Sequence, residues 1–76
     1  MHRFTHVHRN VPGVLRDVNR IVSEAEANVV GQVLATDADI GYLVMDVAED
    51  PKRRVGVELC ARMQELSTTI AVRLLY

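Results

Sequence analysis

The residues of this chain best suited to chemistry lie near its start. His6 and His8 stand two apart, Asn10 follows, and Pro12-Gly13 opens a stretch of helical periodicity. Two histidines at that spacing on a strand share a face and can supply two metal ligands. His2 is the one further histidine, so ordinary hydrogen bonding competes strongly with metal binding. Gly13 has no side chain and lets a ligand come close to the backbone. The free N–H groups where a helix begins, at Gly13 and Val14, suit a carboxylate. Pro12 lacks such a donor. Asn10 and the remote Asn28 each offer a donor and an acceptor, able to hold an ammonium or a hydroxyl. His8 can donate to an oxygen without a fixed charge. Nowhere do these residues make up a complete set of catalytic parts. Each member also has a plainer reading. Asn10 is a ready helix cap, Asn28 a ready turn residue with left-handed backbone, and His6 a support for His8.

The rest of the chain excludes more than it offers. Its 76 residues allow one domain, 1–76, too small to bury a large core by itself, so a partner chain or a longer parent protein is expected. A net charge of −1 and three aromatic residues, two Tyr and one Phe, argue against a nucleic-acid surface. Cys60 is the single cysteine and cannot form an internal disulfide. There is no Gly-rich phosphate loop and no nucleophile elbow. No apolar run reaches the length of a membrane span, and the start lacks a signal-peptide core, so a cytoplasmic location is expected.

These residues need elements to position them. Residues 3–9 read as a strand. A helix over 12–25 follows, with Val14, Leu15, Val18, Ile21, Val22 and Ala25 on one stripe and Pro12 in its first turn. Residues 28–36 are β-branched and read as a strand, "DADIG" as a turn, and 42–47 as the returning strand. Asp50 is the expected cap of a second helix, with Pro51 in the first turn and Val55, Leu59, Met63 and Leu66 buried. Residues 67–76 form the last strand. Cys60 lies near the second helix's apolar stripe and is expected to be inert. The order β-α-β-β-α-β is the α+β, ferredoxin-like arrangement: a four-stranded antiparallel sheet with two helices on one face. The strands are apolar on more than one face, notably 29–35 and 70–75, so something is expected to cover the second face or extend an edge.

With that order, the run His8-x-Asn10-x-Pro12-Gly13, Asn28 and the ending Leu74-Leu75-Tyr76 resemble an ACT domain, a small amino-acid-sensing module. The likeness is closer to the C-terminal regulatory domain of bacterial D-3-phosphoglycerate dehydrogenases and covers residues 4–76. It implies a homodimer formed by edge-to-edge sheet pairing, with L-serine held in the shared interface. His8 and Asn10 would come from one copy and Asn28 from the other. It also implies that the chain forms the C-terminal part of a longer NAD-dependent enzyme inhibited by serine, with NAD bound upstream and no cofactor in this domain. A module sensing another amino acid, or one attached to a different enzyme such as a serine dehydratase, is the alternative. The chain departs from the family at Glu26, where Gly is usual, and at Ala27, where a larger aliphatic is usual. A non-Gly residue in left-handed geometry costs about 1 kcal/mol. Either the exit turn changes and carries Asn28 with it, or the turn is kept against that cost.

Overall fold

A computed structural model describes residues 1–48, 50 and 54–75. Six elements follow in chain order: β1 (His2–Arg9), α1 (Val14–Glu24), β2 (Val29–Thr36), β3 (Ile40–Val47), α2 (Val55–Gln64) and β4 (Thr69–Leu74). The four strands form one antiparallel sheet in the order β2-β3-β1-β4. This is the expected α+β ferredoxin-like fold.

Alternation along the strands sorts the two faces. Phe4, His6 and His8 of β1 stand beside Met45, Leu43 and Gly41 of β3, pair by pair, on the face that the helices cover. Against them pack Val14, Val18, Ile21, Val22 and Ala25 from α1 and Val55, Leu59 and Met63 from α2. Each helix therefore buries a single stripe, spaced three and four residues apart. Leu15 departs from expectation and is more than a third exposed. It neighbours Val14 in sequence but is turned 100° away around the helix, off the covered stripe.

The helix starts also differ from those read in the sequence. Gly13 is the cap position of α1 with φ 92, so Pro12 lies in the preceding turn, outside the helix. The first helical bond runs from the Asp17 N–H to the Gly13 carbonyl, 3.1 Å. α2 starts later than expected, at Val55, with Arg54 rather than Asp50 as its cap position. The Pro51 expectation lies outside the described residues. At the N-terminus β1 reaches back to His2, which pairs with Val47. A cross-strand partner for that extra length was not visible in the sequence of β1 alone.

The covering is uneven. β2 is an edge strand, and nearly all of it is exposed on both faces. Val33 is 66% exposed and Val30 56%. Val30 is the extra residue of a bulge: Val29 opposes Val47 and Gly31 opposes Asp46. On the face away from the helices, Arg3 donates to the Asp46 carboxylate at 2.7 and 2.9 Å across neighbouring strands. That bidentate pair holds the Asp46 carboxyl below its ordinary range.

Candidate functional site

His6 and His8 of β1 lie on the inner face of the sheet, their ring centroids 5.1 Å apart. The Thr69 hydroxyl donates to the Met63 carbonyl at 2.6 Å. Its single proton is thereby used, so its oxygen accepts from His6 Nε2 at 2.7 Å. His6 is accordingly the neutral Nε2–H form, and its Nδ1 is buried with no partner. In His8, Nδ1 lies 3.0 Å from the Arg9 carbonyl, which can only accept. The Nδ1–H is committed there, and Nε2 is buried without a partner. Neutral His8 thus offers its free nitrogen as an acceptor, where a donor was expected.

Burial and then the neighbouring His8 push the His6 pKa down from 6.5 to about 4. The unfolded chain therefore takes up the proton first as the pH falls. The stabilisation from a neutral His6 is complete above about 6.5 and is lost as the pH drops toward about 4. Across that interval the loss amounts to roughly 3 kcal/mol. Most of this window lies above the range in which Asp and Glu titrate. Urea midpoints measured at pH 7 and pH 5 should differ clearly in the native chain and much less in a His6→Gln variant. Equal native midpoints would refute this assignment.

Asn10 does not cap α1. Its side-chain amide donates to the Asp37 carbonyl at 2.6 Å, and its backbone N–H to the Asp39 carbonyl at 2.9 Å. The β2–β3 turn is itself ordered by Asp37, whose carboxylate accepts from the Asp39 and Ile40 N–H groups, both 2.8 Å. Those two bonds hold its carboxyl below the ordinary range. Asn10 is therefore fixed against the turn, with one N–H and its carbonyl oxygen left over. Beside it, Pro12 and Gly13 bend the chain into α1, and the N–H groups of Val14, Leu15 and Arg16 have no partner within the helix.

Asn28 sits at the far end. α1 closes with the Glu26 N–H on the Ser23 carbonyl, 3.0 Å, and the Ala27 N–H on the Val22 carbonyl, 3.1 Å. This is a Schellman motif with Glu26 as its left-handed residue, φ 56. The usual exit turn is kept, then, and Glu26 bears the cost. Asn28 is not the left-handed residue. Its carbonyl accepts from the Ala48 N–H at 2.9 Å, and its side chain is exposed.

His8, Asn10, Pro12, Gly13 and Val14 are thus gathered at one end of α1, and Asn28 lies at the other. The 11 residues of α1 separate them by roughly 16 Å along the helix. No single chain closes Asn28 onto Asn10. Two contributors escaped the sequence reading. One is Asp37, whose turn holds Asn10. The other is Gly41, which stands directly opposite His8. An Asp three residues before an Ile-Gly pair at a hairpin was the available signal for the first. Cys60 is half-buried, and burial raises its thiol pKa. Among the described residues no three His, Cys, Asp or Glu side chains converge as metal ligands. Among the described residues no helix is long and apolar enough to cross a membrane.

The D-3-phosphoglycerate dehydrogenase of Haemophilus influenzae is 39% identical over 74 residues, 97% of this chain. That of Dictyostelium discoideum is 41% identical over 75 residues, 99% of the chain. The chain spans 17% of the length of each. Among solved structures, the ACT domain from a GTP pyrophosphokinase of Chlorobium tepidum has a TM-score of 0.78 at 15% identity. That alignment covers 97% of this chain and 95% of the other. The small subunit of acetolactate synthase from Thermotoga maritima has a TM-score of 0.75 at 21% identity, covering 96% of this chain and 45% of the other. These likenesses concern the fold. Residues 4–71 match the family model described as an AHAS small subunit-like ACT domain. With the βαββαβ order, the Asn-x-Pro-Gly entry to α1 and that match together, the chain belongs to the ACT domain family.

Proposed function

We propose that this chain is the amino-acid-binding regulatory module of a D-3-phosphoglycerate dehydrogenase and that two copies hold L-serine between them. The observation that carries the reading is the position of the candidate residues along β2. Asn28 immediately precedes the strand, and Asn10 is bonded to Asp37 immediately after it. Eight residues of strand hold the two ends roughly 26 Å apart. If β2 pairs antiparallel with β2 of a second copy, each strand's start meets the other's end. Asn28 of one copy then approaches residues 36–38 of the other, where β2 ends and the turn that holds Asn10 begins, with His8 nearby. That register crosses at Gln32 and Val33.

The edge is suited to such pairing. An unpaired strand presents a row of main-chain donors and acceptors, and apolar exposure on both faces adds burial on contact. Val29, Val30, Val33 and Leu34 are all exposed. The paired site would offer the N–H groups at the start of α1 to a carboxylate, and Asn10 and Asn28 to the ammonium or hydroxyl. It contains nothing that performs a reaction. The identity to the dehydrogenases over 97–99% of this chain supports L-serine as effector and feedback inhibition as its consequence. On this reading the NAD-binding and catalytic parts lie elsewhere in a longer cytoplasmic enzyme.

A second reading is favoured by the family model, whose description refers to a different class of subunit. In it the same fold senses another amino acid, or serves another enzyme. A thermal-shift screen of the twenty amino acids separates the two, because a ligand that binds only the folded state raises the melting temperature. L-Serine should give the largest rise, about 2.7 kcal/mol of added stability at a concentration one hundred times its Kd. A larger rise with another amino acid would replace serine as the effector.

A further inference from the structure

Gly41 is the residue of β3 directly opposite His8, and it lies in one cross-strand row with Thr36 of β2. Around Gly41 there is no room for a side chain. A Cβ placed there would stand 2.2 Å from His8 Cε1, 2.6 Å from Nε2 and 2.9 Å from Nδ1. The nitrogen-bearing edge of the imidazole therefore lies over the Gly41 backbone, in the space any other residue would fill. From β1 the ring has crossed onto β3, one strand from the open β2 edge. A ring covering a glycine across a strand pair is a known stabilising arrangement in sheets. Here the ring is 2% exposed, and one of its nitrogens is committed to the Arg9 carbonyl. The other is buried with no partner. An unpaired buried polar atom is costly, and it asks for a partner of definite kind. A neutral ring whose Nδ1 carries the proton can only accept at Nε2.

We propose that Gly41 is a positioning residue of the effector site. Its missing side chain seats His8 as the Nδ1–H form, so that Nε2 meets a donor group of the effector, its ammonium or its hydroxyl, and not its carboxylate. The carboxylate is left to the N–H groups at the start of α1. This rests on the effector-binding reading above and specifies which part of an amino acid His8 reads. Because Nε2 is covered in the free chain, the donor reaches it by displacing what covers it.

Nitrogen-15 NMR of the histidine rings in the native chain tests each half. The free chain should show His8 Nδ1 protonated and Nε2 bare. Adding L-serine should shift Nε2 while leaving it unprotonated. L-Alanine, which keeps the ammonium and lacks the hydroxyl, should reproduce that shift if the ammonium is the donor, and should leave Nε2 unmoved if it is the hydroxyl. Gly41→Ala should erase the His8 signature and weaken serine binding by about tenfold or more. The same change in a His8→Ala background should leave the melting temperature nearly unmoved, because the obstructed ring is gone. A proton gained at Nε2 on binding would overturn the proposal, as would native His8 signals in Gly41→Ala. If Gly41→Ala fails to fold, recovery of folding in the double variant upholds the slot, and continued failure refutes it. Predicted ring signals in the free chain with no response to any amino acid would leave Gly41 as the seat of His8 and reject the effector reading instead.

Discussion

Replacing Val33 by glutamate should separate the two copies and abolish L-serine binding in the same step. Val33 is the most exposed large apolar residue of β2 and lies at the middle of the strand. In an antiparallel β2–β2 pairing that brings Asn28 to the far turn, the two Val33 side chains lie beside or next to the twofold axis. Two carboxylates introduced there face each other as well as losing apolar burial. Like-charge contacts of this kind cost several kcal/mol. Within its own chain Val33 stands on the open face, opposite Val44, so the fold of the single copy loses little. Sedimentation should report a dimer for the native chain and a monomer for the variant, with circular dichroism unchanged. Calorimetry should show saturable heat with L-serine only for the native chain. A variant that remains dimeric, or a monomeric variant that still binds serine, would contradict the shared site.

The second large effect is expected from the asparagine that cannot reach the other ligand residues within its own chain. Asn28→Ala removes an exposed side chain that has no hydrogen bond among the described residues, so folding should be almost unaffected. Loss of a hydrogen bond to a charged ligand group costs about 1.5–3 kcal/mol, or roughly 10- to 150-fold in Kd. His8→Ala should weaken binding to a similar degree and also lower stability, because it opens the buried slot over Gly41. In the longer enzyme both changes should relieve inhibition by serine while the catalytic rate without serine persists. Calorimetry on the chain and a serine titration of the enzyme check the two statements separately.

How much of this was legible beforehand follows from where the information resides. The apolar stripes of α1 and α2 carry their own period, so Val18, Ile21, Leu59 and Met63 could be placed in the core from spacing alone. The strand order and the bare β2 edge are tertiary facts. No residue of β2 announces them, because its apolar run reads equally well as a buried strand. The start of α1 was misplaced because proline in a first turn and proline just before it look alike in sequence. Only the backbone at Gly13 distinguishes them. At Glu26 the sequence posed a clear choice between a changed turn and a tolerated cost, and the bonds from Glu26 and Ala27 decide it. The proton positions on His6 and His8 could not be read at all without their partners, Thr69 and the Arg9 carbonyl, the first of which lies 63 residues away. Gly41 looked like an ordinary turn glycine until His8 was seen lying across it.

The central claim is that one amino acid is held by residues of two copies. It is tested most directly by mixing two variants that are each deficient. Chains carrying His8→Ala and chains carrying Asn28→Ala are combined and allowed to exchange, and L-serine binding is followed by calorimetry. In a mixed dimer one interface site combines both substitutions, and the other combines native His8 from one copy with native Asn28 from its partner. Mixing should restore a class of sites with native affinity that neither variant shows alone. No gain on mixing, with exchange verified, would place His8 and Asn28 in separate roles and contradict that claim.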